Sequence, residues 1–205
     1  MNKMGEISSK YQLRKSIIKD IRKELNLKSN KSTKKWYGSF MKSYPTGQVD
    51  EAEFVSIYKK FFPQGEVQDF ARHVFRAFGG KEKGSIGFKE FYKAFVLQTS
   101  GDLNEKIVFA FRMYDLDGDG EITKDEMLTI IQSIYKLLGP NIRMPSHLNT
   151  PEKRTEHVFN QMDVNKVGNI NFAEFLAGAL NNSFILRMLG GSLDSSPTSS
   201  KKSIN

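Results

Sequence analysis

The chain has 205 residues, of which 39% are hydrophobic, enough for one medium-sized core or two small ones. It contains no Cys, which excludes disulfides, thiolate zinc sites and cysteine catalysis. The formal net charge is +8, no apolar run reaches the roughly 18 to 20 residues that cross a bilayer, and the basic start is unlike a secretory signal, so we expect a cytoplasmic protein.

The positive charge is concentrated at the N-terminus. Residues 1–42 hold twelve Lys or Arg against three acidic residues, a net of +9, and the remainder sums to −1. An amphipathic helix is predicted here, because Leu13, Ile17, Ile21 and Leu25 recur at intervals of four among basic residues. Such a helix suits an anionic membrane surface or an acidic partner. Nucleic acid is not an expected partner, because the chain has no base-reading motif.

Two Gly-centred segments follow, and neither supplies the ligands of a twelve-residue calcium loop. Such loops present oxygen at positions 1, 3, 5, 7, 9 and 12 and have Gly at position 6. Loop one, residues 42–53, has Lys42 at position 1, and Pro45 stands where a flexible turn is needed. Loop two, residues 79–90, has Lys81 and Lys83 at positions 3 and 5. We expect both loops to be empty, with the lysines of loop two occupying the metal's space by charge.

Loop three, residues 115–126, matches every offset of the calcium loop. Its predicted ligands are Asp115, Asp117, Asp119, the backbone carbonyl of Glu121, and Glu126. Gly120 permits the sharp turn at position 6, and Thr123 at position 9 can bring in a water. A solvated acidic turn is the alternative, but it would not require all of these offsets together. Ca²⁺ is therefore the predicted cofactor, with Mg²⁺ as the competing ion.

Loop four, residues 163–174, retains only part of this set. The favourable groups are Asp163, Asn165, Asn171, Glu174 and the backbone carbonyl of Asn169. Val167 at position 5 supplies no oxygen. We expect a weak or silent site, which a filled partner loop could partly rescue.

The four loops define a repeat of helix, loop and helix, the EF-hand. Their central glycines are Gly47, Gly84, Gly120 and Gly168, spaced by 37, 36 and 48 residues. Such units pair through short strands, so the predicted fold is all-α, with four EF-hands in two lobes and β-bridges joining Val49 to Ile86 and Ile122 to Ile170. The predicted domains are residues 1–97, residues 98–191 with a helix at 184–189, and a disordered tail at 192–205. A Ser-Gly hinge is expected near residues 99–101.

Several segments resemble the neuronal calcium sensor family over roughly residues 10–190. They are residues 35–37, the first loop at 42–47, residues 57–65 and the third hand at 111–120. Three features differ from the family pattern: Tyr44 precedes Pro45 where a Cys is usual, loop two carries lysines, and the acylation signal is displaced. Residues 4–9 fit the pattern for myristoylation of Gly5 only if translation starts at Met4.

The resemblance implies a calcium sensor that regulates a membrane-associated target. In the family, an aromatic crevice in the N-terminal lobe receives an amphipathic helix or the lipid chain. The matching residues are Trp36, Phe40, Phe54, Ile57, Tyr58, Val74, Phe78, Phe91 and Phe95. Core packing is the alternative for each of them. We expect a monomer or weak dimer, with peripheral membrane association through the basic helix.

Two other functions fit the loops, namely a passive cytosolic calcium buffer and a constitutive, calcium-insensitive subunit of a channel or enzyme. An enzyme is not expected. His73, His147 and His157 match no catalytic or metal motif, and paired carboxylates occur only at calcium-loop positions.

Overall fold

The computed structural model describes residues 15–21, 23, 31–100, 102–139, 145–182 and 185. Short helices and two minimal sheets account for the described regular structure. The elements are α1 (residues 15–21), α2 (Lys31–Ser43), β1 (Gln48–Asp50), α3 (Glu51–Phe61), α4 (Gln68–Ala77), α5 (Gly80–Lys83), β2 (Ser85–Gly87), α6 (Phe88–Ser100), α7 (Leu103–Tyr114), β3 (Glu121–Thr123), α8 (Lys124–Leu138), a 3₁₀ turn (Ser146–Leu148), α9 (Pro151–Met162), β4 (Asn169–Asn171) and α10 (Phe172–Asn181).

The two sheets join the loops in the predicted pairs. Strand β1 pairs antiparallel with β2, placing Val49 opposite Ile86, and β3 pairs with β4, placing Ile122 opposite Ile170. All four side chains are at most 1% exposed, so each pair closes the core beneath its two loops. This confirms the predicted all-α fold with four EF-hands in two lobes.

Three of the helices that leave the loops begin with a capping box. Loop positions 9 and 12 are the N-cap and third residues of α3, α8 and α10, and each pair exchanges hydrogen bonds between side chain and backbone. The pairs are Asp50 with Glu53, Thr123 with Glu126, and Asn171 with Glu174. The glutamate at position 12 therefore has a structural use in the helix start, even in loop one, which is predicted to be empty.

Within the described residues, α1 is amphipathic as predicted. Ile18 and Ile21 are buried and Ile17 packs against the core, whereas Lys15 and Lys19 are exposed. Its apolar face is therefore used in packing, and its basic face is presented outward. No helix in the described ranges is both long enough and apolar enough to span a membrane.

Helix α4 of the second hand lies directly against the third hand. The amide of Glu66, just before α4, donates to the carbonyl of Lys136 at 3.0 Å, and the ammonium of Lys136 donates to Asp69 at 2.7 Å. The Phe78 and Phe109 rings stack with centroids 4.3 Å apart. The two lobes are therefore joined by side-to-side packing as well as by the chain between them.

Gly65 permits the closest of these contacts, and its replacement gives a test of the packing. A Cβ at this position would lie 1.9 Å from the carbonyl oxygen of Leu137, which is backbone and cannot move alone. We expect Gly65→Ala to lower the free energy of unfolding by about 3 kcal/mol. Gly38→Ala is the control, because that helical position has no neighbour within 4 Å and should gain up to about 1 kcal/mol. Equal urea midpoints for the two variants would contradict this packing.

The structure changes the predicted hinge. Helix α6 continues to Ser100, so Thr99 and Ser100 belong to its last turn, and the link to α7 is shorter than predicted. Helix formation extends to this point because residues 88–100 contain no Gly or Pro. Gly101, the tail at 192–205 and most of the predicted helix at 184–189 lie outside the described residues; Ile185 of that helix is described and is 2% exposed.

Candidate metal centre

Loop three brings the carboxylates of Asp115, Asp117 and Glu126 together. One oxygen from each lies within 4.8 Å of the others. Asp115 is 9% exposed, and its carboxylate accepts hydrogen bonds from the amides of Gly118 at 2.7 Å and Gly120 at 3.1 Å. The loop backbone therefore fixes the position-1 ligand from inside, and the three oxygens are spaced as ligands of one hard cation require.

Glu126 links the two ends of the loop. Its Oε1 accepts from the amides of Leu116 at 2.7 Å and Asp117 at 3.3 Å, and its Oε2 accepts from the amide and hydroxyl of Thr123 at 2.8 Å. Burial opposes ionisation, but these hydrogen bonds outweigh it and hold the pKa of Glu126 below its ordinary value. The carboxylate is therefore charged at neutral pH, as a cation ligand must be.

The remaining predicted ligands of loop three have other contacts. The carboxylate of Asp119 accepts from the amide of Glu121 at 2.9 Å and is not part of the close carboxylate group. The side chain of Glu121 accepts from the side-chain amide, Nδ2, of Asn169 at 2.7 Å, across the strand pair. The Thr123 hydroxyl is used by Glu126, which differs from the predicted water-holding arrangement because the capping box takes it. Loops three and four are thereby in direct polar contact.

Loop four has hydrogen bonds between its acidic side chains and its backbone amides like those of loop three, but it has fewer carboxylates. Asp163 accepts from the amides of Val167 at 3.2 Å and Gly168 at 3.1 Å, and Glu174 accepts from those of Asn165 and Asn171. The Val167 side chain at position 5 points to solvent, with 69% exposed. The backbone is thus arranged as in loop three, and the difference between the loops lies in their side chains.

Loops one and two contain an aromatic contact, a capping box and a turn of helix at positions of the calcium loop. In loop one the Tyr44 ring packs on Phe40, with centroids 5.2 Å apart, and Glu53 is used by the capping box. In loop two, residues Gly80–Lys83 form the helical turn α5, and Lys83 is exposed. The helical turn lies between Gly79 and Gly84, which both have positive φ angles. That loop two is empty stays a prediction.

Comparison with known proteins agrees with this architecture. A model described as an EF-hand domain pair matches residues 45–98, and another matches residues 104–180. Human recoverin is 38% identical over 179 residues, which is 85% of this chain and 90% of recoverin. Neuronal calcium sensor 1 of Lymnaea stagnalis is 38% identical over 76% of this chain and 82% of its own, and chicken visinin is 34% identical over the same shares. The chain belongs to the neuronal calcium sensor family.

In this neuronal calcium sensor, the nine predicted groove residues fall into two classes. Phe40, Phe54 and Val74 are at most 4% exposed and pack within the core. The half-buried members are Trp36, Ile57, Tyr58, Phe78, Phe91 and Phe95. Trp36 lies against Phe95 with ring centroids 4.2 Å apart, whereas Phe78 faces the third hand. The three core residues are inaccessible in this conformation, with Phe40 packed on Phe88 and Phe54 on Phe75.

Sequence reasoning missed two exposed aromatics at the end of α3. Phe61 is 74% exposed and Phe62 is 38% exposed, and the Phe62 ring stacks on Tyr58 with centroids 6.2 Å apart. Two consecutive aromatics before Pro63 could have revealed them, because adjacent helical positions cannot both face the core. They extend the half-buried surface of Ile57 and Tyr58 outward.

Arg76 is the second feature that the sequence did not reveal. This half-buried residue of α4 reaches out of the second hand to the start of loop three, where its guanidinium donates to the backbone carbonyls of Met113 at 2.7 Å, Asp115 at 2.9 Å and Leu116 at 2.5 Å. Burial lowers the pKa of Arg76, and the nearby carboxylates of Asp115 and Glu126 act in the opposite direction. A lone Arg within the apolar run 74–78 was the available signal.

A cleft of about 630 Å³ lies beside this contact, between the second and third hands. Its apolar lining includes Phe78, Val96 and Phe109, and its rim carries Glu90 and Arg112. The position-12 glutamate of loop two, Glu90, thus borders a cleft and accepts from the amide of Gly87 at 3.1 Å.

Gly5, the predicted lipidation residue, lies outside the described residues.

Proposed function

We propose that this protein is a calcium sensor that binds Ca²⁺ mainly at loop three and regulates a membrane-associated target protein through an apolar groove. The observation that carries the proposal is the convergence of Asp115, Asp117 and Glu126 within 4.8 Å, on a loop whose own amides orient them. Asp119 and the carbonyl of Glu121 complete the set. Family membership with recoverin and neuronal calcium sensor 1 supports the same function.

Glu126 transmits the signal because it belongs to the loop and to the first turn of α8. A bound Ca²⁺ supplies the charge that holds the three carboxylates together. Because Glu126 is bound to both ends of the loop, a rearrangement of the loop around the ion would carry α8 with it and move the buried face of that helix against its neighbours. That face consists of Met127, Ile130, Ile131 and Ile134, each at most 1% exposed. Apolar surface becomes available when α7 and α8 separate.

The target surface in this proposal is the half-buried aromatic region of the N-terminal lobe. Trp36, Phe91 and Phe95 form one part of it, and Ile57 and Tyr58 form another, extended by Phe61. A surface of this kind accepts the apolar face of an amphipathic helix, with anchors spaced three to four residues apart. The basic face of α1, with Lys15 and Lys19 exposed, favours peripheral association with anionic lipid.

Loop four is a weak second site in this proposal, formed by Asp163, Asn165, Asn169 and Glu174. Loop four has a single carboxylate among positions 1 to 5, so its calcium affinity is far lower than that of loop three. The Glu121–Asn169 contact nevertheless lets an occupied loop three order loop four. Loops one and two are packing modules. Mg²⁺ is the expected competitor at resting calcium, because it also prefers oxygen ligands.

Calorimetric titration of the purified protein, together with an apolar-surface dye, tests the proposal. We expect one tight site with Kd of about 10⁻⁷ to 10⁻⁵ M and a rise in dye fluorescence at the same calcium concentration. Tight binding with no dye response would indicate a buffer. Dye fluorescence that is high and unchanged in chelator would indicate a constitutive subunit. Two or more tight sites, or none, would refute the assignment of loop three as the main site.

A further inference from the structure

The second hand contacts the third hand at two well-separated places. At one end of α4, Gly65 and Glu66 lie on the carbonyls of Leu137 and Lys136, and Asp69 pairs with the Lys136 ammonium. At the other end, Arg76 donates to carbonyls at the end of α7 and the start of loop three. Helix α4 therefore connects the C-terminal end of α8, the helix that leaves loop three, with the C-terminal end of α7, the helix that enters it.

A change in the angle between α7 and α8 is incompatible with keeping both contacts. Lys136 is ten residues beyond Glu126, about 15 Å along α8 at 1.5 Å per residue. Sensor EF-hands change their interhelical angle by about 40°, which displaces the end of such a lever by about 10 Å. A 3.0 Å hydrogen bond and a 2.7 Å ion pair cannot follow that displacement while α4 stays on α7. One of the two contacts must yield.

The Arg76 contact is the stronger of the two. Its guanidinium makes three hydrogen bonds to carbonyls, two of them at the first residues of loop three, and it is half-buried. The opposite contact consists of the close backbone approach of Gly65 to Leu137, one backbone hydrogen bond and an ion pair whose side chains are 51% and 43% exposed. Exposed pairs of this kind contribute little. The end at Lys136 is therefore the one that releases.

We propose that Arg76 is the positioning residue that couples loop three to the N-terminal lobe: it anchors α4 to the calcium loop, so that movement of α8 frees the far end of α4 and shifts the second hand. This inference rests on the proposed function. It answers how an N-terminal lobe with two empty loops responds to calcium bound in the other lobe. Because linkage is reciprocal, a target bound to the N-terminal lobe then alters the calcium affinity of loop three by the same factor.

The single Trp of the chain gives a direct readout. Trp36 lies in the N-terminal lobe against Phe95 and Tyr92, far along the chain from loop three. Its fluorescence reports the N-terminal lobe, and calorimetry reports the metal site independently. In the wild type we expect the Trp36 signal to change at the same calcium concentration at which heat is released.

Arg76→Gln is expected to separate these two signals. The variant should still bind one Ca²⁺ by calorimetry, with Kd within about tenfold of the wild type, while the Trp36 response falls to less than about a fifth. Arg76→Lys retains the charge but has one ammonium in place of a planar fork, so it should also lose most of the response. Helical circular dichroism and retained calcium binding establish that each variant is folded.

Arg72→Gln is the matched control, because Arg72 lies one turn earlier on α4, pairs with Glu51 at 2.9 Å within its own lobe, and approaches Asp69 only at 3.9 Å. It should keep the full Trp36 response. In Lys136→Glu, which places a carboxylate opposite Asp69, Trp36 fluorescence in chelator should move toward the calcium-loaded value. A full response in Arg76→Gln, or an equal loss in Arg72→Gln, would overturn the coupling. Absence of calcium binding in the wild type would instead refute the proposed function.

Discussion

Glu126→Gln is expected to abolish tight calcium binding. The substitution removes one unit of charge and the bidentate carboxylate at position 12, while leaving an amide oxygen that can still accept from the amides of Leu116 and Asp117. The Thr123 hydroxyl still accepts from the backbone amide at position 126, so the start of α8 should stay capped and the protein folded. We expect Kd to rise by about 100-fold or more, from the range of sensors toward that of weak extracellular sites. Calorimetry measures the change directly.

The matched control is Glu174→Gln, which makes the same chemical change at the same position of loop four. Its glutamate also caps a helix through the amide of Asn171 and accepts from one further loop amide, that of Asn165, so the structural effect should be of the same kind. Tight binding should survive in this variant. Thermal unfolding gives a second measurement: at calcium 1,000 times Kd, binding adds about 4.1 kcal/mol to wild-type stability, and Glu126→Gln should lose that gain. Tight binding that persists in Glu126→Gln would place the main site elsewhere.

The sequence predicted the pairing of the loops because the periodic positions carry a strong local signal. Gly at position 6 and Val or Ile at position 8 are required by the turn and by the strand that follows, whether or not metal binds. Val49 and Ile86 are therefore recognisable in two loops that are predicted to be empty. The capping boxes follow from the same spacing, since positions 9 and 12 stand three residues apart.

The contacts between the lobes could not be predicted in this way. The three acceptors of Arg76 are backbone carbonyls, which any residue supplies, and they lie 37 to 40 positions further along the chain. The close approach of Gly65 to Leu137 likewise depends on the angle at which α4 crosses α8. The helical turn in loop two was missed because Gly80 is a poor helix former, and its closure depends on two flanking glycines.

The groove shows the same division between pattern and packing. The family resemblance indicated nine apolar positions, but a resemblance in sequence cannot say which side of a helix the neighbouring helix covers. Phe54 and Phe40 are enclosed in the core, while Trp36 and Phe91 remain half-buried. An amphipathic surface for a partner and a core face have the same sequence signature, so burial was needed to separate them.

Val167→Asp is expected to create a second calcium site in loop four. The loop already has the hydrogen-bonded frame of loop three, with Asp163 and Glu174 oriented by loop amides, and it lacks an oxygen at position 5. Because the Val167 side chain is 69% exposed, its replacement disturbs no core contact. We expect the affinity of loop four to rise by about 10- to 100-fold, so that calorimetry detects two sites.

This engineered site should remain weaker than loop three, since Asn165 is neutral and Lys166 stands at position 4 where loop three has Gly118. The control is Val164→Asp, which adds the same charge at position 2, a 75% exposed position that supplies no ligand. It should change affinity by less than about threefold, through long-range attraction alone. Combining Val167→Asp with Glu126→Gln isolates the new site and should leave one site of intermediate affinity. Equal gains in Val167→Asp and Val164→Asp would show that net charge, and not the missing ligand, limits loop four.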